Sequence, residues 1–270
     1  MIPLRDNTRL ARAPLATIAL VVANVVAYVL ATRHGWELFT GPSEATGLRY
    51  GAIPYTFAHW GQHCAIGYTN LLTGQQGLLC SGWPNVLGTV RSARPVWETA
   101  VTGMFLHANL LQLMWNMAFL AAFGSAIEDR LGHAAFLASY LLGGLAALAV
   151  QVLFAPTSTV AVLGSSGAIA ALVGSYIVLF PRGRFLALLP LVVRVTFVEQ
   201  PAWVMGAIWL AVTVLLGALG LTTATGSATG LAITAQIGGL AFGLLVARAV
   251  ARRVREQAHG SELTVRVGGG

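Results

Sequence analysis

Along this chain, long apolar runs alternate with short polar connections. Runs with few or no charges cover roughly 13–31, 98–123, 134–155, 164–180, 201–220 and 229–247. A hydrocarbon core about 30 Å thick needs about 20 apolar residues per helix, so each run is predicted to span a bilayer. The run at 164–180 is short and opens on Gly164-Ser165-Ser166-Gly167, which predicts a helix that begins within the membrane. The expected fold is all-α, a six-transmembrane-helix bundle forming one domain over 13–250. It carries a cytoplasmic tail at 1–12, a long outer loop at 32–97 and a basic cytoplasmic tail at 251–270. Shorter connections are expected at 124–133, 181–200 and 221–229.

Composition supports the bilayer. Of 270 residues, 56% are AVILMFWYC and only 9% are charged, with a mean hydropathy of +0.74. That is too little charge to clothe a soluble globule of this size. The formal charge of +7 would suggest nucleic acid in a soluble protein, but all sixteen basic residues are arginine and they flank the apolar runs. Arg33, Arg49, Arg91 and Arg94 fall between the first two runs, and the other twelve fall on the opposite side. The positive-inside rule then places both termini in the cytoplasm. Anionic headgroups account for the arginines, and no nucleic-acid partner is expected. The 13–31 run exceeds a signal-peptide core and reads as a retained signal anchor.

The 32–97 segment carries Trp36, Phe39, Tyr50, Tyr55, Trp60, Tyr68 and Trp83. Such aromatic content suits a loop lying in the headgroup zone. It also holds both cysteines, Cys64 and Cys80. Outside the cell they could form a bridge contributing about 3 kcal/mol, or stand as two free thiols. No metal-ligand spacing is present, and neither metal nor cofactor is expected.

Polar side chains inside apolar runs direct the search for chemistry, because burying them in a membrane is costly. Asn109, Gln112 and Asn116 have the spacing of one helical face, which interhelical hydrogen bonding alone could explain. Ser166 adds a hydroxyl framed by Gly164 and Gly167, at a helix start whose peptide N–H groups can hold an oxyanion. Gly167, Ala170, Ala171 and Gly174 keep one face of that helix small, as Gly239 and Gly243 do after Gln236. Close packing of the two faces would deliver Gln236 toward Ser166. Glu128 and Arg130 are expected to cap helix ends or to pair locally. Among the histidines, only His107 sits near the outer end of a span with Ser166; His34, His59, His63, His133 and His259 do not.

Three segments together resemble the rhomboid intramembrane serine proteases: Phe105-Leu106-His107-Ala108-Asn109-Leu110-Leu111-Gln112-Leu113-Met114-Trp115-Asn116, Gly164-Ser165-Ser166-Gly167-Ala168, and Ala235-Gln236-Ile237-Gly238-Gly239-Leu240-Ala241-Phe242-Gly243. Glu128-Asp129-Arg130-Leu131-Gly132 is similar to the family's connection after the second span, and Met1-Ile2-Pro3-Leu4-Arg5 resembles bacterial members. The resemblance implies a six-helix bundle in a bacterial-type plasma membrane, with transmembrane helices as partners. Ser166 matches the nucleophile, Asn116 a residue beside the oxyanion, and His107 a structural histidine. Gln112 stands where many relatives have a second, oxyanion-binding histidine. Gln236 stands where the family has its catalytic base.

A glutamine at 112 can still donate a hydrogen bond. At 236, a carboxamide has no proton affinity near neutrality and cannot carry a proton from serine to the leaving amine. The expectation is a rhomboid scaffold that recognises transmembrane helices but whose peptide-bond cleavage is lost or strongly impaired. Two alternatives stand beside it: an active endopeptidase using Ser166 with a substitute base, and a non-catalytic binding or translocation-assisting protein. Gln236 argues against the first, and the intact frame of Ser166 argues against the second.

Overall fold

The computed structural model describes residues 2–6, 10–33, 38–70, 75–83, 86, 94–190, 195–218 and 229–267. The elements are, in order, β1 (Ile2–Asp6), α1 (Leu15–Ala31), α2 (Glu44–Tyr50), α3 (Pro54–Ala58), β2 (Cys64–Asn70), β3 (Gln75–Cys80), α4 (Val96–Phe105) and α5 (Leu110–Leu131). They continue with α6 (His133–Phe154), α7 (Ser166–Leu179), β4 (Arg184–Pro190), β5 (Val195–Pro201), α8 (Ala202–Ala218) and α9 (Thr229–Val267). The loop expected at 221–229 lies outside the described residues except for Thr229, and His34, Trp36 and Arg91 lie outside them too.

The helices are inside-out relative to a water-soluble protein. On α1 the outward face is Ile18, Val22, Val25, Val26, Val29 and Leu30, whereas Thr17, Asn24 and Tyr28 are buried. Water would favour the reverse, so an apolar exterior around a polar seam indicates lipid. Inside, Asn24 Nδ2 donates to the Leu20 carbonyl (2.7 Å) and the Tyr28 hydroxyl to the Leu38 carbonyl (2.7 Å). At the centre stands α7, with every residue from Gly167 to Tyr176 buried. It packs against α9, α6 and α5 over a core that includes Phe119, Phe123, Phe136, Tyr176 and Trp209. By length and composition α5, α6 and the Ile233–Arg252 portion of α9 can cross a membrane, and three shorter apolar helices accompany them.

Several boundaries differ from the sequence expectation. The 98–123 run is two helices, because Leu106 and Asn109 are extended and Asn109 caps α5 by accepting from the Gln112 N–H (2.9 Å). Asn109 therefore belongs to a cap and not to a polar stripe along the helix. The connection expected at 124–133 is mostly helix, which ends where Gly132 takes φ +80°, a conformation that favours glycine. Glu128 is thereby buried, and its carboxylate accepts from the Ala16 and Thr17 N–H groups and the Thr17 hydroxyl at 2.6–2.8 Å, closing the start of α1. Asp129 accepts from the N–H groups of Ala11 and Arg12. Residues 251–267, read as a separate tail, continue α9.

Nor is the fold purely helical. The 181–200 connection is a hairpin of β4 and β5, and residues 2–6 of the expected tail join it, giving the order β1-β4-β5. The local reason is a period-two pattern: Phe185 and Ala187 are buried while Arg184 and Leu186 face out. Phe185 seals the bundle against Phe123 and Tyr176, with ring centroids 4.5 and 5.2 Å away. The 32–97 segment carries structure of its own, two short helices and the β2–β3 hairpin, with Cys64 opposite Cys80 and their sulfurs joined. Leu48, Ile53, Tyr55 and Ala161 pack around that bridge.

Candidate active site

A single turn organises the site. Gly164 adopts φ +108°, and a side chain there would press on Gln112 Nε2 at 3.0 Å and on Asn116 Nδ2 at 3.5 Å. Glycine is needed for both the angle and the approach. Ser165 follows as the residue preceding α7, fully buried, its carbonyl accepting from the Ile169 N–H (2.9 Å). Ser166 is the first residue of α7 and only half-buried. Its neighbours at the helix start have no carbonyl one turn behind them, so their N–H groups are available to an incoming oxygen. Ser166 faces a narrow cleft of 30 Å³, which also touches Gly103, Met104, Gln151, Gly164 and Ala235. That is room for about one or two water molecules.

Gln236 reaches this region through packing of α9 on α7. A Cβ on Gly239 would lie 2.2 Å from the Gly167 carbonyl oxygen, and one on Gly243 would lie 1.9 Å from that of Ala171. Only hydrogen fits at either place. The two contacts share one register, which one turn back sets residue 236 against the Gly164–Ser166 turn. Gln236 is fully buried there, and neither Nε2 nor Oε1 has a hydrogen-bond partner. No hydrogen bond joins it to Ser166, although its neighbour Ala235 lines the same cleft.

The remaining sequence candidates divide. Asn116 is buried, and both its Nδ2 and Oδ1 lack partners, so its amide is free to bind. Gln112 is engaged: Oε1 accepts from the Ala108 N–H (2.7 Å) and Nε2 donates to the Leu163 carbonyl (3.2 Å). It ties the α4–α5 connection to the Gly164 turn and retains one N–H. His107 is buried, and its Nε2 lies 3.4 Å from the Oγ of Ser165 rather than Ser166. His59 is bonded to the Tyr55 carbonyl and His133 to Glu128, so among these histidines none bonds to Ser166. Cys64 and Cys80 join β2 to β3.

Sequence reasoning passed over Gln151. It is buried on α6, lines the Ser166 cleft, and has an unpartnered Oε1. The signal was available as a lone amide within the 134–155 run. Asn116, Gln151 and Gln236 thus contribute five unpaired buried amide atoms, and Gln151 lines the Ser166 cleft. Most buried amides in folded proteins are hydrogen-bonded, so these three stand out.

Comparison with known proteins identifies a family. The Rhomboid domain family matches residues 94–253, a stretch that holds Asn116, Ser166 and Gln236. A relative, "Rhomboid-like protein 11, chloroplastic" of Arabidopsis thaliana, is 40% identical over 75 residues, 28% of this chain and 26% of that protein. The match therefore spans about a quarter of the relative's length. With apolar helices turned outward, a glycine-framed serine at the start of a central helix and a family match over more than half its length, this chain belongs to the rhomboid family of multi-pass membrane proteins.

Proposed function

We propose that this chain uses the rhomboid intramembrane-protease scaffold to receive a transmembrane helix beside Ser166, with hydrolysis lost or strongly impaired at Gln236. The observation that carries the proposal is chemical. Serine attacks a peptide carbonyl only if a neighbouring group takes its proton, and the residue that α9 brings to this place is a carboxamide. The bond made by His107 to Ser165 argues against its serving as a substitute base. Removing a general base forfeits about 10² to 10⁴ in rate, and removing one member of a coupled triad has cost about 10⁶.

The parts that bind are retained. The α7 N–H groups and the Asn116 amide would hold a substrate carbonyl oxygen, with Gln112 adding its one remaining N–H. Gln151 offers an acceptor to a substrate N–H. In this reading α1, α5, α6, α7, α8 and α9 are six spans of a bacterial-type plasma membrane. The start of α7 then lies below the outer surface and both termini lie in the cytoplasm. The arginine distribution supports that orientation.

Fluorophosphonate labelling tests the chemistry. The detergent-solubilised protein should label no faster than its Ser166→Ala variant. Labelling at the rate of an active serine hydrolase, abolished by Ser166→Ala, would contradict the proposal.

A further inference from the structure

Away from Ser166, a groove of 620 Å³ opens between α1, α2 and α4. This is the size range of built ligand sites. Its walls are chemically divided. Ala27, Leu30, Ala31, Val101, Phe105 and Leu106 supply apolar lining, and Arg33 and Arg49 add two guanidinium groups to the same groove. Among the described residues, no acidic residue lines it. Both arginines are exposed, and among the described residues neither has a carboxylate partner. Arg94, by contrast, is engaged by Glu98 at 3.1 Å and lies over the Tyr50 ring at 4.6 Å. Glu44 lies at the far, N-terminal end of α2, while Arg49 is in its last turn.

We propose that this groove binds an anionic glycerophospholipid, its phosphate between Arg33 and Arg49 and an acyl chain along the trough. Charge complementarity selects the occupant: two guanidinium groups without a carboxylate partner among the described residues, Arg49 lying over the Tyr50 ring at 5.6 Å, line an apolar channel and match a phosphate joined to a hydrocarbon chain. A zwitterionic lipid would bring a cation to the same two arginines. The flanking segments expose Trp60 (98%) and Trp97 (71%), side chains that favour the headgroup zone in which a lipid phosphate sits. Through Phe105 and Leu106 the groove wall runs directly into His107, and the Thr102 hydroxyl fastens α4 to the Tyr50 carbonyl at 2.6 Å. A bound lipid would therefore brace the segment that supports the Gly164 turn, whatever chemistry Ser166 performs.

Thermal midpoints of the full chain in uncharged detergent, titrated with phosphatidylglycerol, provide the test. The midpoint should rise saturably, and phosphatidylcholine, diacylglycerol with the same acyl chains, or glycerol phosphate should each give a much smaller rise. The exposed pair Arg33→Gln/Arg49→Gln should weaken the apparent affinity at least about tenfold, since both charge-assisted bonds to the phosphate are lost. Ala31→Trp, which fills the trough and leaves the charge untouched, should weaken it too. The charge-matched pair Arg248→Gln/Arg252→Gln should not. An equal rise with phosphatidylcholine, a full effect of glycerol phosphate alone, or equal weakening by the Arg248/Arg252 pair would overturn the proposal.

Discussion

Gln236 sets its side-chain amide in the bundle interior without partners, and an unsatisfied buried polar group costs about 1–3 kcal/mol relative to a paired one. Gln236→Met keeps the length and removes the polar atoms. Chemical denaturation in micelles should therefore show a gain of about 1–3 kcal/mol; a loss would mean that the amide is satisfied in the folded protein. Gly164→Ala should act oppositely. Its φ of +108° and the 3.0 Å approach of Gln112 Nε2 both oppose a methyl group, and a loss of about 1–3 kcal/mol is expected. The place of Ser166 at the start of α7 and of Gln236 on α9 was legible in the sequence because each sits in a glycine-rich frame. The roles of Asn109 and Gln112 were not, since spacing of three and four assumes a continuous helix. Here the chain breaks between Leu106 and Asn109, which turns one amide into a cap and the other into a tie.

Between elements, the site depends on how closely α9 approaches α7. The Gly239 and Gly243 contacts are backbone to backbone, so a side chain at either position must push the helices apart. Gly243→Val should cost several kcal/mol, at or beyond the ~4–5 kcal/mol end of single-residue effects, and it should be read as lost folded yield. Gly132→Ala, where only the backbone angles are at stake because nothing lies within 4 Å, should cost about 1–3 kcal/mol. A similar loss at both positions would contradict the packing. This small-faced pairing was readable from the sequence. The β1-β4-β5 sheet was not, because the strand pattern at 184–190 is short and its partner at 2–6 lies far away in the chain. Glu128 was expected at a helix end, and it closes the start of α1 from α5, a pairing no local pattern encodes.

For the molecule as a whole, an apolar exterior surrounds a polar seam running from Thr17 through Asn24 and Tyr28 to the amides near Ser166. Hydropathy located the helices, since lipid-facing runs must be apolar throughout; it could not say that 98–123 bends, because bent and straight segments bury the same residues. The proposed orientation predicts that reporters fused after Val267 are active only on the cytoplasmic side. Activity outside would reverse the assignment of the outer segment and its Cys64–Cys80 bridge. The central claim is that a binding frame survives around a serine whose base has been replaced. Its most direct test is cleavage of a transmembrane reporter by the Gln236→His variant, with Ser166→Ala/Gln236→His as the control. Restored cleavage by the single variant, absent from the control and at least about 10²-fold above the unaltered chain, is the predicted result. Cleavage by the unaltered chain at the rate of the histidine variant would contradict it.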